Sequence, residues 1–136
     1  MEANAFGTRG IVELFERAGV HVDQIVLAGG IPEKNPLVPQ ICADVLGRPV
    51  ERAKTRRASA MGAAAAGIAA APTEVTGCAG MADAVERLAR KGRTFLPRPE
   101  HTRVYNGLYA DYMTLQDTFG RGGNDVMKRL SRLRRE

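Results

Sequence analysis

The residues best suited to binding chemistry lie between Gly29 and Asn35, where two glycines are followed by a lysine and an asparagine. Glycine has no Cβ, so Gly29 and Gly30 permit tight turns and let a flat ligand or a phosphate approach the main chain. Asn35 is a preferred helix N-cap and Pro36 fits a first helical position. They predict a helix N-terminus whose free N–H groups face the space beside the glycine turn. Together these residues are typical of a site for an anionic or ribosyl ligand.

The surrounding residues predict a strand, a glycine turn and a helix. The apolar run from Ile25 to Ala28 is short and rich in branched side chains, which favours a fully buried strand. A second strand is predicted from Pro49 to Ala53, and further strands are expected upstream. Pro39 falls in the first turns of the helix after Asn35, where it removes one backbone donor and can shift the helix start.

Four further helical patterns accompany these elements. They are residues 3–18, which Gly19 should end, residues 57–71, whose small side chains suit close packing on a sheet, residues 82–91, with Val85 and Leu88 inward, and residues 101–119. In the last pattern, apolar side chains recur at steps of three and four, which predicts one stripe packed in the core. The stripe consists of Tyr105, Leu108, Tyr112, Leu115 and Phe119.

The C-terminal segment predicts a basic amphipathic helix. Six basic and two acidic side chains in residues 120–136 supply most of the formal net charge of +5. Its apolar face consists of Val126, Met127, Leu130 and Leu133. Such a helix can contact an acidic partner, a membrane surface or nucleic acid. Because no aromatic residues interleave with the arginines, a solvated helix face is favoured over nucleic-acid binding.

Several other classes of chemistry are not indicated. The three-glycine dinucleotide fingerprint is absent, and no glycine-rich run precedes Lys-Ser or Lys-Thr. The spacing of the glycine turn alone therefore leaves nucleotide binding as only one alternative. The spacings of Cys42, Cys78, His21 and His101 predict neither a metal site nor a cysteine–histidine pair. No apolar run approaches the ~20 residues of a membrane span, and signal-peptide features are missing, so a cytoplasmic protein without membrane contact is expected.

Several separate motifs resemble, in the same order, the C-terminal part of the FGGY carbohydrate kinases. They are residues 2–9 (EANAFGTR), 27–30 (LAGG), 34–37 (KNPL), 40–44 (QICAD) and 60–64 (AMGAA). The closing motifs are similar to those of family members that act on a ketopentose such as L-ribulose. These are residues 105–109 (YNGLY), Tyr112 and residues 119–130.

The resemblance implies an α/β fold of the actin-like ATPase (ribonuclease H-like) type, in which two domains close on ATP and this chain supplies part of the second. It implies ATP contacts at Gly29 and Gly30, with Lys34 and Asn35 approaching the adenine and ribose. The implied activity of the complete enzyme is ATP- and Mg²⁺-dependent phosphorylation of a ketopentose such as L-ribulose in L-arabinose catabolism.

In the family, the catalytic aspartate and most sugar contacts lie upstream of the matching region, so this chain is expected to hold no catalytic residue and no metal ligand. Asp44 and Asp111 are not candidates for that base, because both fall in helical patterns where a solvated or capping carboxylate is expected. One departure from the family is Arg56-Arg57, which stands where relatives usually have an acidic or polar residue. It affects the expected nucleotide geometry rather than the glycine turn.

We expect residues 1–96 to form the partial nucleotide-binding domain and residues 97–136 a helical extension that packs on it. The expected partners are ATP, a ketopentose sugar and the missing N-terminal kinase domain, with a homo-oligomer left open, and the chain alone is not expected to catalyse. Two alternatives remain: a free-standing module that binds a nucleotide or an acidic partner, and a truncated product without a function of its own.

Overall fold

The computed structural model describes residues 1–54, 57–88 and 91–133, and within them three short strands and their flanking helices are found. The strands are β1 (Val26–Leu27), β2 (Val50–Ala53) and β3 (Lys91–Phe95). The helices are α1 (Glu2–Arg17), α2 (Gly30–Lys34), α3 (Leu37–Leu46), α4 (Ala58–Ala70), α5 (Thr73–Thr76), α6 (Met81–Leu88), α7 (Pro99–Gln116), a π-helical turn (Asp117–Arg121) and α8 (Val126–Leu133). Three arginines used in the sequence analysis lie outside the described residues. They are Arg56 and two of the basic residues of the C-terminal segment, Arg134 and Arg135.

The strands form one mixed sheet in the order β1-β2-β3. β1 runs parallel to β2, with Leu27 opposite Arg52, and β2 runs antiparallel to β3, with Val50 opposite Phe95. Both predicted strands are therefore confirmed, but β3 was missed, because Lys91 was assigned to the end of a helix. Apart from Phe95, the strand is not apolar, and its pairing with β2 rather than its own composition makes it a strand.

The largest part of the core lies between α1, α3 and α7. Phe6 on α1 packs against the rings of Tyr105, Tyr109 and Tyr112 on α7, at centroid distances of 6.1, 6.0 and 5.5 Å. Ile41 and Val45 of α3 complete this cluster. The prediction that the tyrosines pack in the core is thus confirmed.

The prediction of a buried stripe on α7 is wrong for its two leucines. Leu108 and Leu115 are 45% and 57% exposed, whereas Tyr109, which the stripe omitted, is buried. At about 100° per residue, Tyr105, Tyr109 and Tyr112 share one narrow face, and Leu108 and Leu115 lie to one side of it. The described part of the chain covers only the tyrosine face.

A second core cluster lies under the sheet, where Ala43 of α3 meets Val50 and Phe95. The prediction of a fully buried β1 is wrong, since Val26 is 49% exposed. Alternate residues of a strand point to opposite faces, and α3 covers only the face that carries Ile25 and Leu27. One face of β1 therefore stays open in this chain.

A third cluster joins α4 to α6, where Ala65 packs against Cys78 and Ala84. The expectation that α4 packs closely on the sheet is not met, because α6 is its main partner. On α6, Leu88 is partly buried as predicted, but Val85 is 43% exposed. Ala84 takes the inward position because it is small enough to fit against α4.

The end of α1 follows the prediction closely. Gly19 has a φ of +83°, a conformation that favours glycine. The N–H of Gly19 donates to the carbonyl oxygen of Glu16 (3.0 Å), and the N–H of Val20 donates to that of Phe15 (2.9 Å). This pair of hydrogen bonds is the Schellman arrangement that terminates a helix.

Two phenylalanines of α1 provide a matched test of the core. Phe6→Ala should lower the free energy of unfolding by about 3 kcal/mol, because it leaves a cavity among three tyrosine rings. Phe15→Ala should lower it by only about 1 kcal/mol, because half of the Phe15 side chain is already exposed to water. Urea unfolding followed by circular dichroism measures both, and equal losses would contradict this assignment of the core.

Candidate functional site

The candidate site is the glycine corner, Gly29 to Asn35, which begins at the carboxyl end of β1. Gly29 has a φ of +112° and a ψ of 176°, angles that are essentially restricted to glycine. A Cβ added at Gly29 or Gly30 would meet no atom of the described residues within 4 Å. The predicted glycine turn is therefore present, and the main chain there is not covered by neighbouring side chains.

The helix that follows differs from the prediction. The short helix α2 intervenes, and Asn35 ends it by donating its N–H to the carbonyl oxygen of Ile31 (3.1 Å). The side-chain Oδ1 of Asn35 accepts the N–H of Leu37 (3.0 Å), so Asn35 still caps α3, which begins at Leu37 rather than at Pro36. Pro39 is buried in the first turn of α3, where N–H groups have no intrahelical acceptor, so no hydrogen bond is lost.

The surface around the glycine corner combines apolar and cationic groups. Val26, Ile31 and Leu37 are 49%, 69% and 53% exposed, and Lys34 is exposed between the latter two in sequence. Since β1 and β2 are parallel, their carboxyl ends meet at the same edge, which is where ligands bind in open α/β sheets. The four residues chosen from the sequence lie within seven consecutive positions that begin near this edge, and their joint role stays a prediction.

A cluster around Asp44 of α3 was not foreseen. The expectation for Asp44 was a solvated or capping carboxylate, and its complete burial rules out the solvated alternative, whereas Asp111 is exposed as expected. Its Oδ2 accepts hydrogen bonds from Arg98 Nη2 (2.7 Å) and Nε (3.1 Å), and its Oδ1 accepts one from the Arg98 backbone N–H (2.8 Å). His101, which the sequence left isolated, places Nδ1 3.3 Å from Oδ2.

The electrostatics of this cluster favour the ionised carboxylate. Burial opposes ionisation of Asp44, but hydrogen bonds from Arg98 and Gln40 outweigh it and hold the pKa of Asp44 below its usual value of 3.8. Gln40 also donates to the carbonyl oxygen of Leu96 (2.9 Å). The cluster therefore ties the segment before α7 to α3, and we call it the Asp44 clasp.

A second polar network joins α1, α3 and α7. The guanidinium of Arg9 donates from Nη1 to the carbonyl oxygen of Val45 (3.0 Å) and to Oδ1 of Asn106 (2.7 Å), and it lies 4.2 Å from the ring centroid of Tyr109. Glu13 accepts from Arg9 Nε and from the Tyr109 hydroxyl, each at 2.9 Å. Burial raises the pKa of Glu13, but these two hydrogen bonds together with the charges of Arg9 and Arg17 outweigh burial and hold the pKa below its usual value. The network orients the tyrosine face of α7.

Two kinds of site are absent from the described ranges 1–54, 57–88 and 91–133. They hold no group of three or more His, Cys, Asp and Glu side chains placed to bind a metal ion. Among the helices of those same ranges, none has the length and apolar character needed to cross a membrane.

Comparisons with known proteins define the class. Residues 1–71 match the model of the FGGY family of carbohydrate kinases, C-terminal domain. The solved xylulose kinase from Rhodospirillum rubrum superimposes with a TM-score of 0.64 at 30% identity, over 86% of this chain and 23% of that one. The chain belongs to the FGGY carbohydrate kinases, and the expected fold, a partial α/β C-terminal domain of a sugar kinase, is confirmed.

Within this family, the similarity to ribulokinases spans nearly the whole chain. The ribulokinase of Halalkalibacterium halodurans is 47% identical over 98% of this chain, and that of Mycolicibacterium smegmatis is 45% identical over 98%. Those matches cover 24% and 23% of the two relatives, so the chain spans about a quarter of their length.

The lowered pKa of Asp44 sets a pH dependence. A carboxyl whose pKa falls on folding adds stability that is complete above its unfolded-state pKa and is lost as the pH drops through its folded-state pKa. Asp44→Asn should therefore lower the free energy of unfolding by about 2 kcal/mol at pH 7, and the difference from the native chain should shrink as the pH falls below the unfolded-state pKa and through the folded-state pKa of Asp44.

The matched control for this prediction is Asp111→Asn, which removes an exposed carboxylate and should cost less than about 0.5 kcal/mol. Urea unfolding across the pH range measures both variants. A loss from Asp44→Asn that is the same at pH 7 and pH 2 would show that ionisation of Asp44 does not stabilise the clasp.

Proposed function

We propose that this chain is the ATP-binding C-terminal portion of a ribulokinase. The complete enzyme would transfer the γ-phosphate of ATP to L-ribulose, giving L-ribulose 5-phosphate in L-arabinose catabolism. Identity of 43–47% to several ribulokinases over at least 96% of the chain supports the proposal. The observation that carries it is the glycine corner, where main chain at the carboxyl end of β1 lies open to a ligand.

In this proposal the glycine corner holds the adenosine of ATP. Gly29 and Gly30 would let the nucleoside rest against the main chain, because within the described residues the space beside each Cα is open. Lys34 and Asn35 would approach the adenine and ribose, and because the Oδ1 of Asn35 accepts from Leu37, the amide nitrogen of Asn35 would be the group that donates to the ligand. Mg²⁺ would arrive with ATP and balance the charge of its phosphates.

The base that deprotonates the sugar hydroxyl belongs, in this proposal, to residues outside these 136. Residues 1–96 would form the nucleotide-binding unit and residues 97–136 an extension that packs on it in a cytoplasmic enzyme. Contacts of α7 with α1 and α3, through Phe6, Tyr109 and the Asp44 clasp, support that division. The partners of the unit would be ATP, the sugar and the remaining kinase polypeptide.

Filling the open space at the glycine corner should block nucleotide binding. Gly30→Leu places a side chain where adenosine would lie, without the strain of the positive φ at Gly29, and should weaken ATP binding at least about tenfold. Gly107→Leu on α7 fills an equally open position away from the corner and should bind ATP as the native chain does. Isothermal titration calorimetry measures both, and unchanged affinity in Gly30→Leu would remove the corner as the adenosine site.

Catalysis should require the remainder of the kinase. We expect the 136-residue chain to release no ADP from ATP in response to L-ribulose. A chimera in which this chain replaces the matching quarter of the Halalkalibacterium halodurans ribulokinase should release ADP when L-ribulose is added. A coupled assay of ADP release measures both proteins. Turnover by the isolated chain would refute the assignment of the base to residues outside it.

A further inference from the structure

A cavity of about 410 Å³ lies where the end of α3 meets the first turns of α7. This volume is within the range of small-molecule sites. The cavity is lined by Gly47, Pro97, Pro99, Thr102, Arg103 and Asn106. The four lining residues of α7 follow the spacing i, i+3, i+4 and i+7, so they share one face of that helix. We call this site the α3–α7 cavity.

The α3–α7 cavity is separate from the glycine corner. Helix α3 begins at Leu37, next to the corner, and ends at Leu46, just before Gly47 of the cavity. Its 10 residues, at about 1.5 Å per residue, separate the two sites by about 15 Å. A ligand of the cavity would therefore be distinct from ATP bound at the corner.

Two side chains of the cavity offer hydrogen-bond donors. Arg103 is exposed, and among the described residues no carboxylate forms an ion pair with it. Its guanidinium carries five N–H donors in a planar fork that matches carboxylate and phosphate groups. Asn106 uses its Oδ1 to accept from Arg9 Nη1 (2.7 Å), so its amide nitrogen is the group left to donate.

The third polar group is the hydroxyl of Thr102. Its Oγ1 is buried and has no hydrogen-bond partner among the described residues, which is uncommon for a buried polar atom in a folded protein. The lining thus combines a guanidinium, an amide and a hydroxyl and contains no carboxylate. Pro97 and Pro99 add apolar rings beside these donors. This combination suits an oxyanion attached to a short apolar group.

We propose that the α3–α7 cavity binds the phosphate or carboxylate group of a small organic anion. Arg103 would pair with the negative charge, and the amide of Asn106 and the hydroxyl of Thr102 would donate to its oxygens. The rings of Pro97 and Pro99 would contact the carbon atoms next to the anionic group. The proposal is independent of the proposed function, because it uses neither the glycine corner nor the rest of the kinase.

Nuclear magnetic resonance of the ¹⁵N-labelled 136-residue chain tests the proposal. Methyl phosphate and acetate are titrated separately, with sodium chloride used to hold the ionic strength constant. The side-chain amide signal of Asn106 should shift and saturate with at least one of them, and the tighter ligand identifies the anionic group. A shift that sodium chloride alone reproduces, or no saturable shift with either probe, would overturn the proposal.

Two variants test the assigned donors. Arg103→Met keeps most of the side-chain length but removes the guanidinium, and it should weaken binding at least about tenfold. Thr102→Val keeps the shape but removes the hydroxyl, and it should weaken binding about threefold. Because that hydroxyl has no partner, Thr102→Val should not lower the urea midpoint of unfolding, which shows that the lost affinity is not a loss of folding.

The matched control is Arg132→Met, which removes an exposed arginine of α8 and should bind the probe as the native chain does. Native affinity in Arg103→Met or in Thr102→Val would overturn the proposal, as would an equal loss in the control. Saturating adenosine should leave the affinity for methyl phosphate or acetate unchanged. Displacement by adenosine would place the anion at the glycine corner and would also overturn the proposal.

Discussion

The structure depends on the compensation of one buried charge. Asp44 is completely buried on α3, and an ionised carboxylate there is tolerated only if hydrogen bonds replace the lost water. Arg98 and Gln40 provide them, and Nδ1 of His101 also contacts Oδ2, the carboxylate oxygen that accepts from the Arg98 guanidinium. Because Arg98 directly precedes α7, satisfying the carboxylate also fixes where that helix begins.

The same helix links the clasp to the candidate site. α3 begins under the cap of Asn35, next to the glycine corner, and carries Asp44 in its third turn. Its buried residues Ile41 and Val45 contact the cluster around Phe6, while Ala43 contacts the sheet. A displacement of α3 would therefore disturb the glycine corner, the sheet and the tyrosine face of α7 together, so the geometry of the corner depends on packing some distance from it.

The described residues have three small core clusters and leave many large apolar side chains exposed. One of these exposed surfaces, at Val26 and Ile31, is close in sequence to Gly29 and Gly30, where the main chain has little side-chain cover among the described residues, and such a surface suits a flat ligand.

The sequence by itself determined the features that depend on neighbouring residues. The turn at Gly29, the end of α1 at Gly19 and the strand at β2 follow from conformational preferences acting over a few positions. The motifs also identified the family, which the comparisons confirmed. The roles of Gly30 and Lys34 in ATP binding, read from the same motifs, remain predictions.

Only the tertiary structure decided which elements meet. The Asp44 clasp joins residues 54 positions apart, and β3 is a strand because it pairs with β2. Helix α7 buries its tyrosines rather than Leu108 because Phe6 of α1 packs against the tyrosine side. Local patterns indicate how a segment can fold. Burial and charge compensation depend instead on residues that are distant in sequence, and only the packing of the chain determines which of these come into contact.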